Sequence, residues 1–121
     1  MNEQTSFNYK INQKNHMLVV SLTGEISNHV VPALEACRQE ILAKEDVNCV
    51  VLYFQNVGQI SPDGISMLAQ IQREIRSKPA HLRLCSLNEA LRTKLMKMGV
   101  VRGMECADDL KEALLSFGRI A

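Results

Sequence analysis

The chain has 121 residues and a formal net charge of +1. That length suits one domain with a real core, and the near-neutral balance argues against an electrostatic nucleic-acid binder, which shows a basic domain and patch. No apolar stretch approaches the ~20 residues of a membrane span, and the polar start MNEQTSFNYKINQK lacks a signal-peptide apolar region, so a cytoplasmic protein is expected.

Phe7 to Ile11 is a first short strand, with Phe7, Tyr9 and Ile11 alternating against polar neighbours. Met17 to Leu22 is a second, stronger one, and the polar Asn12–Asn15 between them reads as a hairpin turn. Thr23, Gly24 and Glu25 break the second strand. A helix follows from near Asn28 to about Lys44, with Val30, Leu34, Cys37 and Ile41 on one face and Pro32 in its first turn. Val47–Phe54 is a continuous apolar, β-branched and aromatic run, as expected of a strand covered on both faces.

Ser61 then precedes Pro62, and Asp63 and Gly64 follow before a helical pattern begins. Proline suits the first helical position because its missing N–H would have no partner there. It also pushes the preceding residue out of helical geometry, which makes Ser61 the N-cap. Asp63 places a carboxylate in the first turn, where the helix dipole favours negative charge. A strand feeding a helix N-terminus through a small polar loop is a common functional position in α/β proteins. The same four residues also make an ordinary, well-formed helix start.

This second helix runs to about Ser77, with Ile65, Leu68, Ala69, Gln72 and Ile75 at helical spacing, and Pro79 stops it. Leu82 to Ser86 is a fourth strand. Ser86 and Glu89 form an S-x-x-E capping box opening a third helix, whose stripe is Leu87, Leu91, Leu95 and Met98. Gly99 terminates that helix and is expected at positive φ. Val100 to Cys106 reads as a weak final strand, and Asp108 and Asp109 open a last helix with Leu110, Ala113, Leu114 and Phe117 inward. The order ββαβαβαβα describes one small α/β domain over residues 1–121. Its core spans about 17–117, and a mixed sheet packs against helices with parallel neighbours after the leading hairpin.

No GxSxG, HExxH, P-loop or GxGxxG occurs. Glu25 and Asp63 both follow strands and fall at one end of a parallel arrangement. An acid pair of glycosidase type is imaginable there, but the small chain and few aromatics do not support a sugar cleft. Arg92, Lys94 and Lys97 lie on the outer side of the third helix, with Arg102 following, and read as a solvated face. The three histidines, His16, His29 and His81, show no metal-ligand spacing. Cys37, Cys49, Cys85 and Cys106 form no CxxC and are expected as free thiols, with Cys49 and Cys85 buried on strands. No cofactor, metal or catalysis is expected.

The chain resembles the STAS domain family, best known for bacterial anti-sigma factor antagonists. The matching pieces are Leu22-Thr23-Gly24-Glu25-Ile26, the strand VVLYFQNV, Ile60-Ser61-Pro62-Asp63-Gly64-Ile65 with Leu68, and the turn Met98-Gly99-Val100 that ends Leu91–Val100. They cover about Met17 to Phe117 in the family's order. The resemblance implies a protein partner, of which an anti-sigma factor that is also a serine kinase is the family's example. In that family the loop reads Asp-Ser-Ser/Thr-Gly, and phosphate on the first hydroxyl residue breaks the partner contact. Aligned on Gly64, Ile65 and Leu68, the aspartate position holds Ser61 and the phospho-acceptor position holds Pro62. The family's GxxD is Gly24-Glu25-Ile26-Ser27, with serine for aspartate.

Proline accepts no phosphate, so three readings stand: partner binding without phospho-control, a replacement acceptor at Ser61 or Ser66, or another STAS role. That last role covers a lipid-transport accessory, a stressosome-like scaffold or a sensor. The partner surface implied is Gly24, Glu25, Ser27 and Asn28 with Ile60, Ser61, Pro62, Asp63 and Gly64. A module for a small ligand or anion at the same helix start is the alternative, and a fixed Asp63 disfavours it.

Overall fold

The computed structural model describes residues 7–54, 57–78 and 80–117. Two strands, β1 (Asn8–Lys14) and β2 (Met17–Thr23), form an antiparallel hairpin. Their two-residue connection puts Asn15 at φ 57°, a left-handed conformation that asparagine tolerates better than most residues. β1 runs three residues further than the expected Phe7–Ile11, because backbone pairing with β2 continues to Lys14 opposite Met17. Those last residues are polar and exposed, so no alternation marks them.

A 3-10 turn at Asn28–Val30 leads into α1 (Val31–Ala43), and β3 (Cys49–Tyr53) follows. Then come α2 (Pro62–Ser77), β4 (His81–Cys85), α3 (Glu89–Lys97), a second 3-10 turn at Gly103–Glu105, β5 (Cys106–Ala107) and α4 (Leu110–Phe117). The sheet order is β1-β2-β3-β4-β5, with every pair after the hairpin parallel. This is the expected mixed α/β architecture.

Strand alternation divides the core in two. Leu18, Val20, Leu22, Val50, Leu52, Leu82 and Leu84 point to one face and pack with Leu34 and Ile41 of α1, Leu68, Ile71 and Ile75 of α2, and Leu91 and Leu95 of α3. Val51 and Cys85 point to the other face, beneath Ala113 and Phe117 of α4. The central strand β3 is thus buried on both sides, as its unbroken apolar run requires. Between α1 and α2, Arg38 bonds both oxygens of Glu74 at 2.7 Å and Glu35 at 2.7 Å. Hydrogen bonds from Arg38 hold the Glu74 carboxyl below its ordinary range.

Four expectations need correction. The third helix is capped by Asn88, not Ser86. The Asn88 side-chain oxygen accepts from Leu91 N–H at 2.8 Å, while Ser86 sits at φ 62° in the bend before it. Met98 is 57% exposed, because the helix ends one residue earlier and the stripe stops at Leu95. Val100–Cys106 is not a strand: Val100 and Val101 are buried after the helix end, a 3-10 turn follows, and only Cys106–Ala107 pair with β4. Cys49 is half-buried at the start of β3, whereas Cys85 is fully buried.

Gly99 behaves as expected. It has φ +73°, its N–H donates to Met96 C=O, and Val100 N–H donates to Leu95 C=O. That pair of bonds is a Schellman ending, and glycine enters it without a Cβ penalty.

Candidate functional site

β2 and β3 both deliver their chains to the same end of the sheet. Gly24 is buried at φ 92°, a conformation glycine alone takes cheaply, and it turns the chain out of β2. Two residues later Ile26 meets Ile60 in an isolated parallel bridge. Ile26 N–H donates to Gln59 C=O at 3.0 Å, and Ser61 N–H donates to Ile26 C=O at 2.7 Å. Both isoleucines are buried. The loops after β2 and β3 are therefore zipped to each other by backbone bonds and a shared apolar contact.

Ser61 is the N-cap of α2 in extended geometry, φ −69° and ψ 163°. Its Oγ accepts from Gly64 N–H at 3.1 Å, and its carbonyl accepts from Ile65 N–H at 2.8 Å. Pro62 takes the first helical position and Asp63 lies in the first turn, both exposed. Gly64 is buried against the bridge: a Cβ there would stand 2.7 Å from Ile26 Cγ2 and 3.0 Å from Ile60 Cγ2. The helix start can sit this close to the zipped loops only because position 64 has no side chain.

The remaining expected residues gather around this point. Glu25 is exposed, and its Oε2 lies 3.7 Å from where a Gly58 Cβ would be. Ser27 is half-buried; its carbonyl accepts from Val30 N–H at 3.1 Å, and its hydroxyl makes no cap bond. Asn28 is exposed, as is Ser66 on α2. The nine expected residues thus form one contiguous end of the molecule. Ile26, Ile60, Gly24 and Gly64 are buried there, while Glu25, Asn28, Pro62 and Asp63 are displayed.

One residue was missed. Asn88 caps α3 and also donates through Nδ2 to Gly58 C=O at 3.2 Å, fastening the start of α3 to the same loop. Its signal was present, since asparagine before Glu89 is an N-cap type, but Ser86 competed for the role. Among the described residues no group of three His, Cys, Asp or Glu side chains could hold a metal. No described helix is long and apolar enough to cross a membrane.

The sequence and the fold match known proteins. The sequence profile of the STAS domain covers residues 8–113. An anti-sigma factor antagonist from Mycobacterium paratuberculosis superposes with a TM-score of 0.79 at 22% identity, covering 92% of this chain and 93% of that one. The Bacillus cell fate determinant SpoIIAA in its phosphorylated form gives 0.71 at 16% identity, covering 94% and 100%. A sulfate transporter family protein from Wolinella succinogenes gives 0.73 at 16% identity, covering 88% of each chain. At these identities the structural likeness speaks to fold, and the profile, which spans most of the chain, speaks to family: the protein belongs to the STAS domain family.

Proposed function

We propose that this protein is a non-catalytic interaction module. It docks a partner protein through the Gly24–Asn28 and Ile60–Gly64 loops and the exposed start of α2. The observation that supports this most is the Ile26–Ile60 bridge, which welds two loops into one preorganised surface and leaves Glu25, Asn28, Pro62 and Asp63 at its rim. A preformed surface spends little ordering entropy on binding.

Docking here is not under the phosphate control of an anti-sigma factor antagonist. Pro62 stands at the acceptor position and offers no oxygen nucleophile. Ser61, one residue upstream, uses its Oγ as an acceptor for Gly64 N–H, a contact made by the unmodified N-cap. Asp63 supplies a permanent negative charge near the position where phosphate would add up to about two.

Intact-mass and peptide mass spectrometry of protein from its own host, with and without a candidate anti-sigma kinase and ATP, tests the switch. The expected result is no phosphate on the loop and partner binding indifferent to ATP. Stoichiometric phosphate on Ser61 would restore regulated antagonism, displaced by one residue. Asp63→Arg tests the surface: partner capture is lost, while stability changes by only ~0.3–1 kcal/mol through the helix dipole. Retained capture with a collapsed fold would make Asp63 a structural residue only. A second reading is favoured by the likeness to a sulfate transporter family protein: a module attached to, or accessory to, a transporter. Affinity capture from the native cell separates the two by the kind of protein recovered.

A further inference from the structure

At the far end of α2 from Asp63, the chain builds a second polar place. A cleft of about 310 Å³ opens between the end of α2, the start of β4 and the Gly103–Glu105 turn, lined by Arg76, His81, Arg83, Arg102, Met104 and Glu105 among others. That volume is at the low end of the small-molecule range. Three arginines and one glutamate therefore line one cleft.

The carboxylate is already engaged. Glu105 is 6% exposed and receives Arg76 Nε at 3.0 Å, Arg76 Nη2 at 2.6 Å and the Arg102 backbone N–H at 2.9 Å. Burial alone would raise its pKa, yet the bonds from Arg76 and Arg102 hold it below the ordinary value, so it stays ionised. Arg83 is held as well: Nε donates to Ser116 Oγ at 2.9 Å, Nη1 donates to Leu82 C=O at 2.8 Å, and the group lies 5.1 Å from the Phe117 ring centre. These bonds leave Nη1 of Arg76 and Nη2 of Arg83 without a protein acceptor among the described residues. Arg102 is exposed, and its guanidinium forms no ion pair among the described residues.

We propose that this cleft binds a phosphate monoester. Two internally braced arginines present spare donors at fixed positions, and Arg102 and His81 close on the ligand from its mouth. Guanidinium forks match phosphate geometry, and a dianion balances the excess of two positive charges. Met104, 74% exposed, offers apolar surface to the organic part of the ester. The site is separate from the docking loops and stands whether or not the proposed function holds.

The test is a nitrogen-15 NMR titration of the full chain with glycerol 3-phosphate, with inorganic phosphate, and with sodium chloride at matched ionic strength. Saturable shifts are expected at the amides of His81, Arg83 and Gly103 with either phosphate and not with chloride. Glycerol 3-phosphate should bind at least 3-fold more tightly; equal affinities would overturn the monoester assignment. Arg102→Gln, at an exposed position, should weaken binding at least 10-fold with an unchanged fold. Arg92→Gln, an exposed arginine elsewhere, should leave it intact. Shifts that do not saturate, that chloride reproduces, or that Arg102→Gln leaves unaltered would overturn the proposal.

Discussion

Replacing Gly64 with alanine isolates one contact. Gly64 lies inside α2, and its φ is not in the left-handed region, unlike Gly24 and Gly99. Alanine is therefore conformationally welcome, and the helix gains at most ~1 kcal/mol of propensity. Against that stands space. The new Cβ would lie 2.7 Å from Ile26 Cγ2, 3.0 Å from Ile60 Cγ2 and 3.3 Å from Ser61 Oγ. The two methyls belong to buried β-branched side chains whose backbones are tied by the Ser61–Ile26 and Ile26–Gln59 bonds, so neither swings away freely. Overpacking of this kind costs ~1–3 kcal/mol. The net expectation is a loss of about 1–2 kcal/mol.

For a chain of this size that loss lowers Tm by about 4–8 °C. Thermal and urea unfolding followed by circular dichroism measure it. The control is the double mutant with Ile26→Ala, which removes the nearest obstructing methyl. In that background Gly64→Ala should cost less, with a coupling of at least ~0.5 kcal/mol. A Gly64→Ala protein as stable as the wild type, with no coupling to Ile26, would refute the close approach of the helix start to the bridge.

Three further outcomes are expected. Gln72 is 1% exposed and neither its amide nitrogen nor its oxygen has a partner among the described residues, so Gln72→Met should raise stability by ~1–3 kcal/mol in urea unfolding; a fall would mean that buried water satisfies the amide. The depressed carboxyls of Glu105 and Glu74 bind protons more readily in the unfolded chain, so their stabilisation is present above the unfolded glutamate pKa and is lost as pH falls below ~4 through the folded values. Glu105→Gln should accordingly flatten unfolding free energy against pH between ~5 and ~3, and an unchanged slope would count against the Arg76 pairing. In thiol labelling of the native protein, Cys37 and Cys85, which burial pushes up to about 12 and about 11, should react after the half-buried Cys49 and Cys106; first reaction at Cys85 would place β4 wrongly.

Local rules made the site legible. The Ser61–Pro62 boundary follows from what proline does to its own N–H and to its predecessor, and the helix begins where those constraints put it. Spacing alone puts Gln72 on the inward stripe, and it is buried. The misses arose where two local signals competed or where the deciding contact was distant. Ser86 and Asn88 are both capping residues, and the Asn88 bond to Gly58, 30 positions away, was invisible. Val100 and Val101 are apolar enough for a strand, but they are buried as the continuation of a Schellman ending, where Val100 N–H reaches Leu95. Pairings such as Arg38 with Glu74 and Arg76 with Glu105 span 36 and 29 positions, distances at which pattern gives no guidance.

Conformation and chemistry separate cleanly at the α2 start. The backbone bonds among Ile26, Gln59 and Ser61 use no side chain, the Ser61 cap uses one oxygen, and Gly64 contributes an absence of atoms. None of these needs a hydroxyl at position 62 or a particular charge at position 63. Proline even suits position 62 better than a hydroxyl residue would, since it is preorganised for the first helical turn. Position 62 therefore accommodates proline without disturbing the loop that presents it. The same fold is found in an anti-sigma factor antagonist and in a sulfate transporter family protein. What this chain displays at that end is the exposed set Glu25, Asn28, Pro62 and Asp63. Under the docking function proposed above, partner choice is assigned to those side chains, because the fold beneath them is common property.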